Sequence, residues 1–315
     1  MLNQGSTMQG FATFILRGRI HAIFVTAVAA VLSMILPPLS HVSGAAVALV
    51  TLRNGAFEGA LIAAGAALML LLLGLLSSMD VALVQVFVLS LLAAAWVPVL
   101  LCAAILRSLR SLGLALTAAG MLALLAMLVF YLLVGDVRGW WYTVLEALFE
   151  PMWVAAPVPL SAGEIEAWLK NLAAIMTGLV AAMLVYSVMI NLCLARWWQA
   201  LLFNPGGFRS EFHGLRLDWR IGVGALPIVL LSSLTSGGLQ GFAQDAILLI
   251  MAMFSLTGLA LVHAVVAARS MHRGSLAGVY ILMLFILPQM VMVLAAVGLT
   301  DSWLDFRRRL NIRQG

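Results

Sequence analysis

Charge is what this chain most lacks. Charged residues make up 9% of it against 64% hydrophobic residues, whereas a water-soluble domain carries roughly 25% charged residues. That deficit excludes an ordinary soluble globule. Lysine is all but missing: Lys170 stands alone among 17 basic residues, the rest being arginine, which reads as coding bias rather than chemistry. The 2 cysteines, Cys102 and Cys193, lie inside apolar runs; they give no disulfide framework and read as small buried hydrophobes. The 5 histidines, His21, His41, His213, His263 and His272, have no metal-ligand spacing. No series of carboxylates occupies the middle of the apolar runs, so a proton- or sodium-driven pump lacks its relay. A Gly-rich phosphate loop, carboxylates paired at one depth, a Ser-His-Asp set and a zinc pattern are all missing. The expectation is a protein that is not an enzyme and carries no cofactor and no metal.

What the chain has is oil-like sequence, with a mean hydropathy of +1.13. Apolar runs cover 20–36, 56–78, 81–106, 111–135, 171–195, 221–236, 242–268 and 276–299. Each comes near or above the ~20 residues that span a hydrocarbon core. They predict an all-α, polytopic transmembrane helix bundle of about eight spans. A further run, 42–52, is short for a span; it reads as a half-helix, a re-entrant piece or a short spanning helix. The run after Arg17 and Arg19 ends at Pro37-Pro38 without a cleavage site, so it reads as a retained membrane helix. No repeat, low-complexity tract or soluble domain is visible, which predicts a single integral membrane domain over 1–315.

The pI near 9.9 raises nucleic acid as a partner, but the arginines form short clusters beside apolar runs instead of one patch. That is the positive-inside pattern; it excludes a nucleic-acid reading and makes the lipid bilayer the expected partner, with membrane proteins as further candidates. Arg17 and Arg19, then Arg107 and Arg110, then Arg196, Arg209, Arg216 and Arg220, then Arg269 and Arg273, all read as cytoplasmic. The segment 136–170 carries Asp136, Glu146, Glu150, Glu164 and Glu166 against Arg138 and Lys170, and reads as the outer side. The setting that fits is a membrane with one cytoplasmic face. One conflict follows. A simple last span over 276–299 would put Arg307, Arg308, Arg309 and Arg313 outside. A cytoplasmic C-terminus is preferred, with one late segment failing to cross; 221–236 with Pro227 and 276–299 with Pro288 are the candidates.

The outer segment predicts one interfacial amphipathic helix, beginning at Gly139-Trp140-Trp141-Tyr142 with its rings at headgroup level. Pro151 is expected to end it, and Pro157 and Pro159 to keep the next stretch extended. Ser161-Ala162-Gly163-Glu164 matches a capping box, so a helix starts near Ala162 and runs into the span at Asn171. The segment is an interfacial brace or, alternatively, a lid over an outward-facing cavity. Ala22, Thr26 and Ala30 share one helix face, as do Gly59, Ala63 and Ala67; such small-residue faces allow close helix contact, within the chain or with a partner.

Buried-looking polar groups are few: Gln85, Asn191, His263 and Gln289, with Glu58 and Asp80 at run boundaries. The densest polar set is Ser232 to Asp245, where two helix ends meet. Ser236, Gln240, Gln244 and Asp245 are the candidate solute-binding residues there, through side chains and exposed backbone groups. The plainer alternative is an outer turn with Asp245 favoured at a helix N-terminus.

Two stretches look specific. In Asn191-Leu-Cys-Leu-Ala-Arg196-Trp197-Trp198, a membrane helix is expected to leave lipid at Arg196, with Trp197 and Trp198 anchoring it. Asn204-Pro-Gly-Gly207 is a turn signal, inside a cytoplasmic Arg-rich loop 196–220. In Gly298-Leu-Thr-Asp301-Ser-Trp303-Leu-Asp305-Phe-Arg307, a span ends at Leu299, Asp301 caps a following helix, and Asp305 faces Arg309. The C-terminal basic tail is 301–315. Arg196, Trp197, Trp198, Asn204, Arg209, Asp301, Trp303, Asp305 and Arg307 are the candidate cytoplasmic interaction residues; interface anchoring and lipid headgroup binding are the alternatives.

These stretches, with Trp219-Arg220 and Pro227 before the next span, resemble the YybS-like family of predicted bacterial membrane proteins (domain of unknown function 2232). The resemblance is clearest in the C-terminal half, and the Asn-Pro-Gly-Gly loop looks like the proteobacterial branch. The family brings no settled activity. Its helix layout is thought similar to the substrate-binding membrane subunits of energy-coupling-factor transporters and to the cell-shape protein MreD. The resemblance thus implies a transporter-like subunit that binds a small solute and needs partners for energy, or a non-transporting scaffold or assembly factor of the cell envelope. No ATP-binding segment is visible. A membrane-embedded lipid enzyme is a third reading, without a nucleophile or base to name.

Overall fold

The computed structural model describes residues 4–77, 80–154, 161–272 and 274–309. Pro157, Pro159, Arg273 and the tail over 310–315, with Arg313, lie outside the described residues. Among the described residues all regular structure is helical. In order, the helices are α1 (Gln4–Leu16), α2 (Arg19–Leu32), α3 (Leu39–Asn54), α4 (Ala56–Leu76), α5 (Val81–Leu91), a π turn (Leu92–Trp96), α6 (Val97–Leu109), α7 (Leu112–Val134), α8 (Val137–Val154), α9 (Ala162–Ala173), α10 (Met176–Phe203), α11 (Gly207–His213), α12 (Trp219–Leu234), α13 (Gly237–Ala268), α14 (Gly274–Phe285), α15 (Leu287–Leu304) and α16 (Phe306–Arg309).

The helix starts follow local chemistry. Asp80 accepts from the Ala82 amide at 2.8 Å, Ser111 from Leu114 at 3.2 Å and Asp218 from Arg220 at 2.8 Å. Ser161 and Glu164 form the expected capping box, each satisfying amides that the first helical turn leaves without partners. Pro151 does not end α8, which continues to Val154. Its last turn is held by Trp153, whose ring meets Trp168 of α9 at 5.6 Å.

Among the described residues six helices are long and apolar enough to cross a membrane: Ala56–Leu76, Val81–Leu109 across the π turn, Leu112–Val134, Met176–Phe203, Gly237–Ala268 and Leu287–Leu304. The remaining apolar runs of the sequence became other things. The first, 20–36, begins within α2, which is bent by 117° from α1. α1 lies across the end of α10, with Gln9 donating to the Leu201 carbonyl at 3.1 Å and Phe11 edge-on to Trp198. α2 has 14 residues, about 21 Å at 1.5 Å per residue, short of the ~30 Å hydrocarbon core. It pairs with α3, the doubtful run 42–52. That helix is buried from Ser43 to Leu52, so it is a core element instead of a marginal span. The α2–α3 hairpin starts and ends beside α4: Arg19 pairs with Glu58, and Gly59 sits so close to Thr51 that a Cβ would stand 1.9 Å from its hydroxyl. The faces Ala22-Thr26-Ala30 and Gly59-Ala63-Ala67 are buried in these contacts, inside the chain.

Arg53, Arg107, Arg110, Arg196, Arg216 and Arg307 gather at one end of the bundle, while Arg138 lies at the other beside Gln244. Arg107 donates to the Leu52 and Arg53 carbonyls, both at 2.6 Å. The Arg216 carbonyl lies against Gly113 at the start of α7, where a Cβ would be 2.2 Å from it. The last apolar run both begins and ends there. It breaks at Ile286, just before Pro288, into α14 and α15. Near its start, Tyr280 bonds His263 at 2.9 Å, and His263 packs on Phe212 of α11. Past its end, Arg307 donates to the carbonyls of His213, the last residue of α11, and Leu215 just beyond it. The run therefore returns to the end it left, and Arg307 lies on the same side as Arg216, removing the charge conflict of a simple last span. α15 packs along α13 with almost no space between backbones: a Cβ on Gly258 would stand 1.9 Å from the Leu294 carbonyl oxygen, and one on Gly298 2.1 Å from that of Phe254.

Candidate functional site

The feature least explained by folding alone is a set of buried polar groups in the middle of the bundle. Asn191 stands 15 residues from the start of α10 and 12 from its end. It is 1% exposed. Its Oδ1 lies 3.0 Å from His41 Nδ1, and its Nδ2 has no hydrogen-bond partner. Gly44, one turn along α3 from His41, makes the room: a Cβ there would meet Asn191 Nδ2 at 2.5 Å. Beside it Ser43 Oγ donates to the Thr26 carbonyl at 2.8 Å and accepts from Trp96 Nε1 at 3.0 Å. Thr26 Oγ1 is buried with no partner either.

Trp96 reaches this set because the ladder slips. Pro98 offers no N–H to the carbonyl one turn back, and the chain answers with the π turn Leu92–Trp96, a device often found at functional sites. The slip carries the ring into the core, where it is fully buried. His41 is half-buried, and the nearby Met34 and Ile35 are exposed. The chemistry on offer is an amide donor, a hydroxyl, an imidazole and an indole edge. An unpaired buried donor costs about 1–3 kcal/mol, a cost that a bound polar solute would offset.

The residues chosen from the sequence are placed differently. Gln240, Gln244 and Asp245 do share the first turns of α13, with Ser236 at its N-cap position. Ser236 is exposed and makes no side-chain cap bond, while Gln240, Gln244 and Asp245 each bond to groups of the protein itself. Asp245, 2% exposed, accepts from Tyr131 Oη at 2.6 Å and from the Gly178 amide at 2.9 Å. Gln244 accepts from Arg138 at 2.7 Å, and Gln240 donates to the Ser232 carbonyl at 3.3 Å. Asp245 thus ties α7 and α10 to α13. Changing Tyr131→Phe removes a hydrogen bond to a carboxylate and is expected to cost about 1.5–3 kcal/mol. Thermal unfolding in detergent reads it; an unchanged midpoint would mean that the bond contributes nothing.

The candidate interaction residues divide in two. Arg196 does not mark the end of its helix: α10 continues to Phe203, and the loop begins at Asn204, its C-cap. Arg196 is held by Glu211 at 2.9 Å and by Gln199 at 2.5 Å. Trp198 is 2% exposed. Asp301 caps α16 by accepting from Phe306 at 3.0 Å and lies 3.1 Å from Arg307. Asp305 pairs with Arg216 at 3.1 Å. Burial pulls the Asp305 carboxyl up, but Arg216 and Arg308 together outweigh it and leave the carboxyl below its ordinary range. These groups interlock the C-terminal segment with the α11–α12 connection. Trp197, Asn204, Arg209 and Trp303 remain on the surface.

Sequence reading marked Asn191 as buried-looking but passed over Thr26, His41, Ser43 and Trp96. The available signals were Pro98 two residues after a tryptophan, and a histidine just behind Pro37-Pro38. No protein-family model matches this chain, and no curated protein or solved structure matches it.

Proposed function

We propose that this chain is a YybS-like subunit of a bacterial inner membrane that binds a small polar solute between α2, α3 and α10. It acts without chemistry of its own and draws on partner proteins for energy. The reading rests on Asn191: a buried amide with an unused donor, at the middle of a long apolar helix, beside a broken hairpin and a π turn. Polar groups at such depth are expensive and mark solute paths, and discontinuous helices are where membrane transporters hold their cargo. The polar set around Asp245 is a structural tie in this reading.

Asn191→Leu keeps the volume and removes the amide. The variant is expected to fold with an equal or higher unfolding midpoint, since an orphaned donor is gone, and to lose the solute. Wild-type and variant protein, purified from native membrane in mild detergent with neighbours attached, are compared by mass spectrometry of extracted small molecules. A solute near one per chain in the wild type and missing from the variant is the expected result; none in either sinks the reading. An ATPase and a coupling subunit are the expected companions.

A second reading, a scaffold of the cell envelope, is favoured by one observation. Trp197, Phe208, Arg209, Phe212 and Tyr280 line a groove of about 520 Å³. Burial, with repulsion from Arg209, His263 and Arg307, keeps the His213 imidazole in it below its ordinary value and so neutral. Envelope or division proteins among the companions would support that reading.

A further inference from the structure

A cavity of about 420 Å³ opens at the arginine-rich end, lined by Arg53, Arg107, Arg110, Arg196, Gln199 and Glu211. The four arginines come from three separate stretches: the end of α3, the end of α6 and the last third of α10. Glu211 is the single acid of the lining, and Arg196 takes both of its oxygens. Among the described residues Arg53, Arg107 and Arg110 form no ion pair with a carboxylate. Their charges are not discharged by folding.

Their positions are held firmly. Arg107 is fixed by the carbonyls ending α3, where a cation suits the helix dipole. Arg53 lies over the Phe203 ring at 4.1 Å, which holds its guanidinium plane. Arg110 adopts the left-handed conformation, φ 52°, at the C-cap of α6, a place where glycine is usual. Bringing three unneutralised guanidinium groups around one cavity is unfavourable unless an anion joins them. Guanidinium forks match the paired oxygens of a phosphate group.

We propose that this cavity binds a phosphate-bearing anion at the membrane surface, with the headgroup of an acidic phospholipid as its source. The site is independent of the solute site and stands whether or not a solute binds near Asn191.

The test uses the full chain in neutral detergent, titrated separately with phosphatidylglycerol, phosphatidylcholine and inorganic phosphate, with bound ligand counted by native mass spectrometry. Phosphatidylglycerol is expected to bind saturably, about one per chain, and phosphatidylcholine far more weakly. The double variant R53Q/R110Q is expected to bind phosphatidylglycerol roughly 25-fold more weakly, taking about a fivefold loss per charge. If the pair of changes prevents folding, R110Q alone tests the site with a loss of roughly fivefold. Binding of inorganic phosphate that the same variant weakens supports the anion site and assigns it to a soluble source. Equal affinity in wild type and variant, or no binding of either phosphate compound, overturns the proposal.

Discussion

Replacing Arg307 with methionine is expected to destabilise the protein by about 3–5 kcal/mol, the cost of breaking a buried ion pair from one side. Arg307 is 1% exposed. It lies 3.1 Å from Asp301 and donates to the carbonyls of His213 and Leu215 at 2.6 and 2.7 Å. Methionine fills much of the space but leaves the Asp301 carboxylate buried without its counter-charge and the His213 and Leu215 carbonyls without the guanidinium donors. Thermal unfolding in detergent measures the loss, and limited proteolysis reports where it acts. Cleavage is expected first between α15 and α16, because the lock there has opened. Adding Asp301→Leu is expected to recover most of the stability, since an apolar pair of similar volume replaces a desolvated ionic one. A single variant as stable as the wild type would show that the lock contributes nothing.

The second large effect belongs to Gly258. A Cβ at that position would stand 1.9 Å from the Leu294 carbonyl oxygen, which is backbone and has nowhere to go. Gly258→Val is expected to push α15 away from α13 at a cost of about 3 kcal/mol or more. In lipid the loss matters doubly, because helix association there depends on close packing and not on a hydrophobic drive. Gly224→Ala is the matched comparison. It lies in α12 with nothing within 4 Å of a new Cβ, so alanine there is expected to stabilise by about 0.5–1 kcal/mol through helix preference alone. Equal unfolding midpoints for the two variants would refute the close-contact account.

Much of the helical layout was legible because oil-like runs of the right length leave few alternatives. The start at Ser161 was equally plain, since local capping needs only neighbours in sequence. What was not legible shares a cause. The sequence left two candidates for a late segment that fails to cross, 221–236 and 276–299; that 276–299 breaks at Ile286 and returns to the arginine-rich end is set by contacts of Tyr280 and Arg307 with residues far away in the chain. Asp245 looked like a ligand because it sits among polar neighbours; Tyr131 and Gly178, distant in sequence, claim it. Trp198 and Arg307 were read as surface groups because their charge or size suits an interface. Helix α1 covers Trp198, and Arg307 is buried against the α11–α12 connection instead.

Composition by itself determined that this chain threads apolar helices through lipid and sorts its arginines toward one face, because burying unpaired charge in hydrocarbon is too costly to permit otherwise. Which runs cross, and which fold back, was left to tertiary structure. So was the meeting of His41, Ser43, Trp96 and Asn191, since hydropathy records how greasy a stretch is and carries no information about which helix faces which.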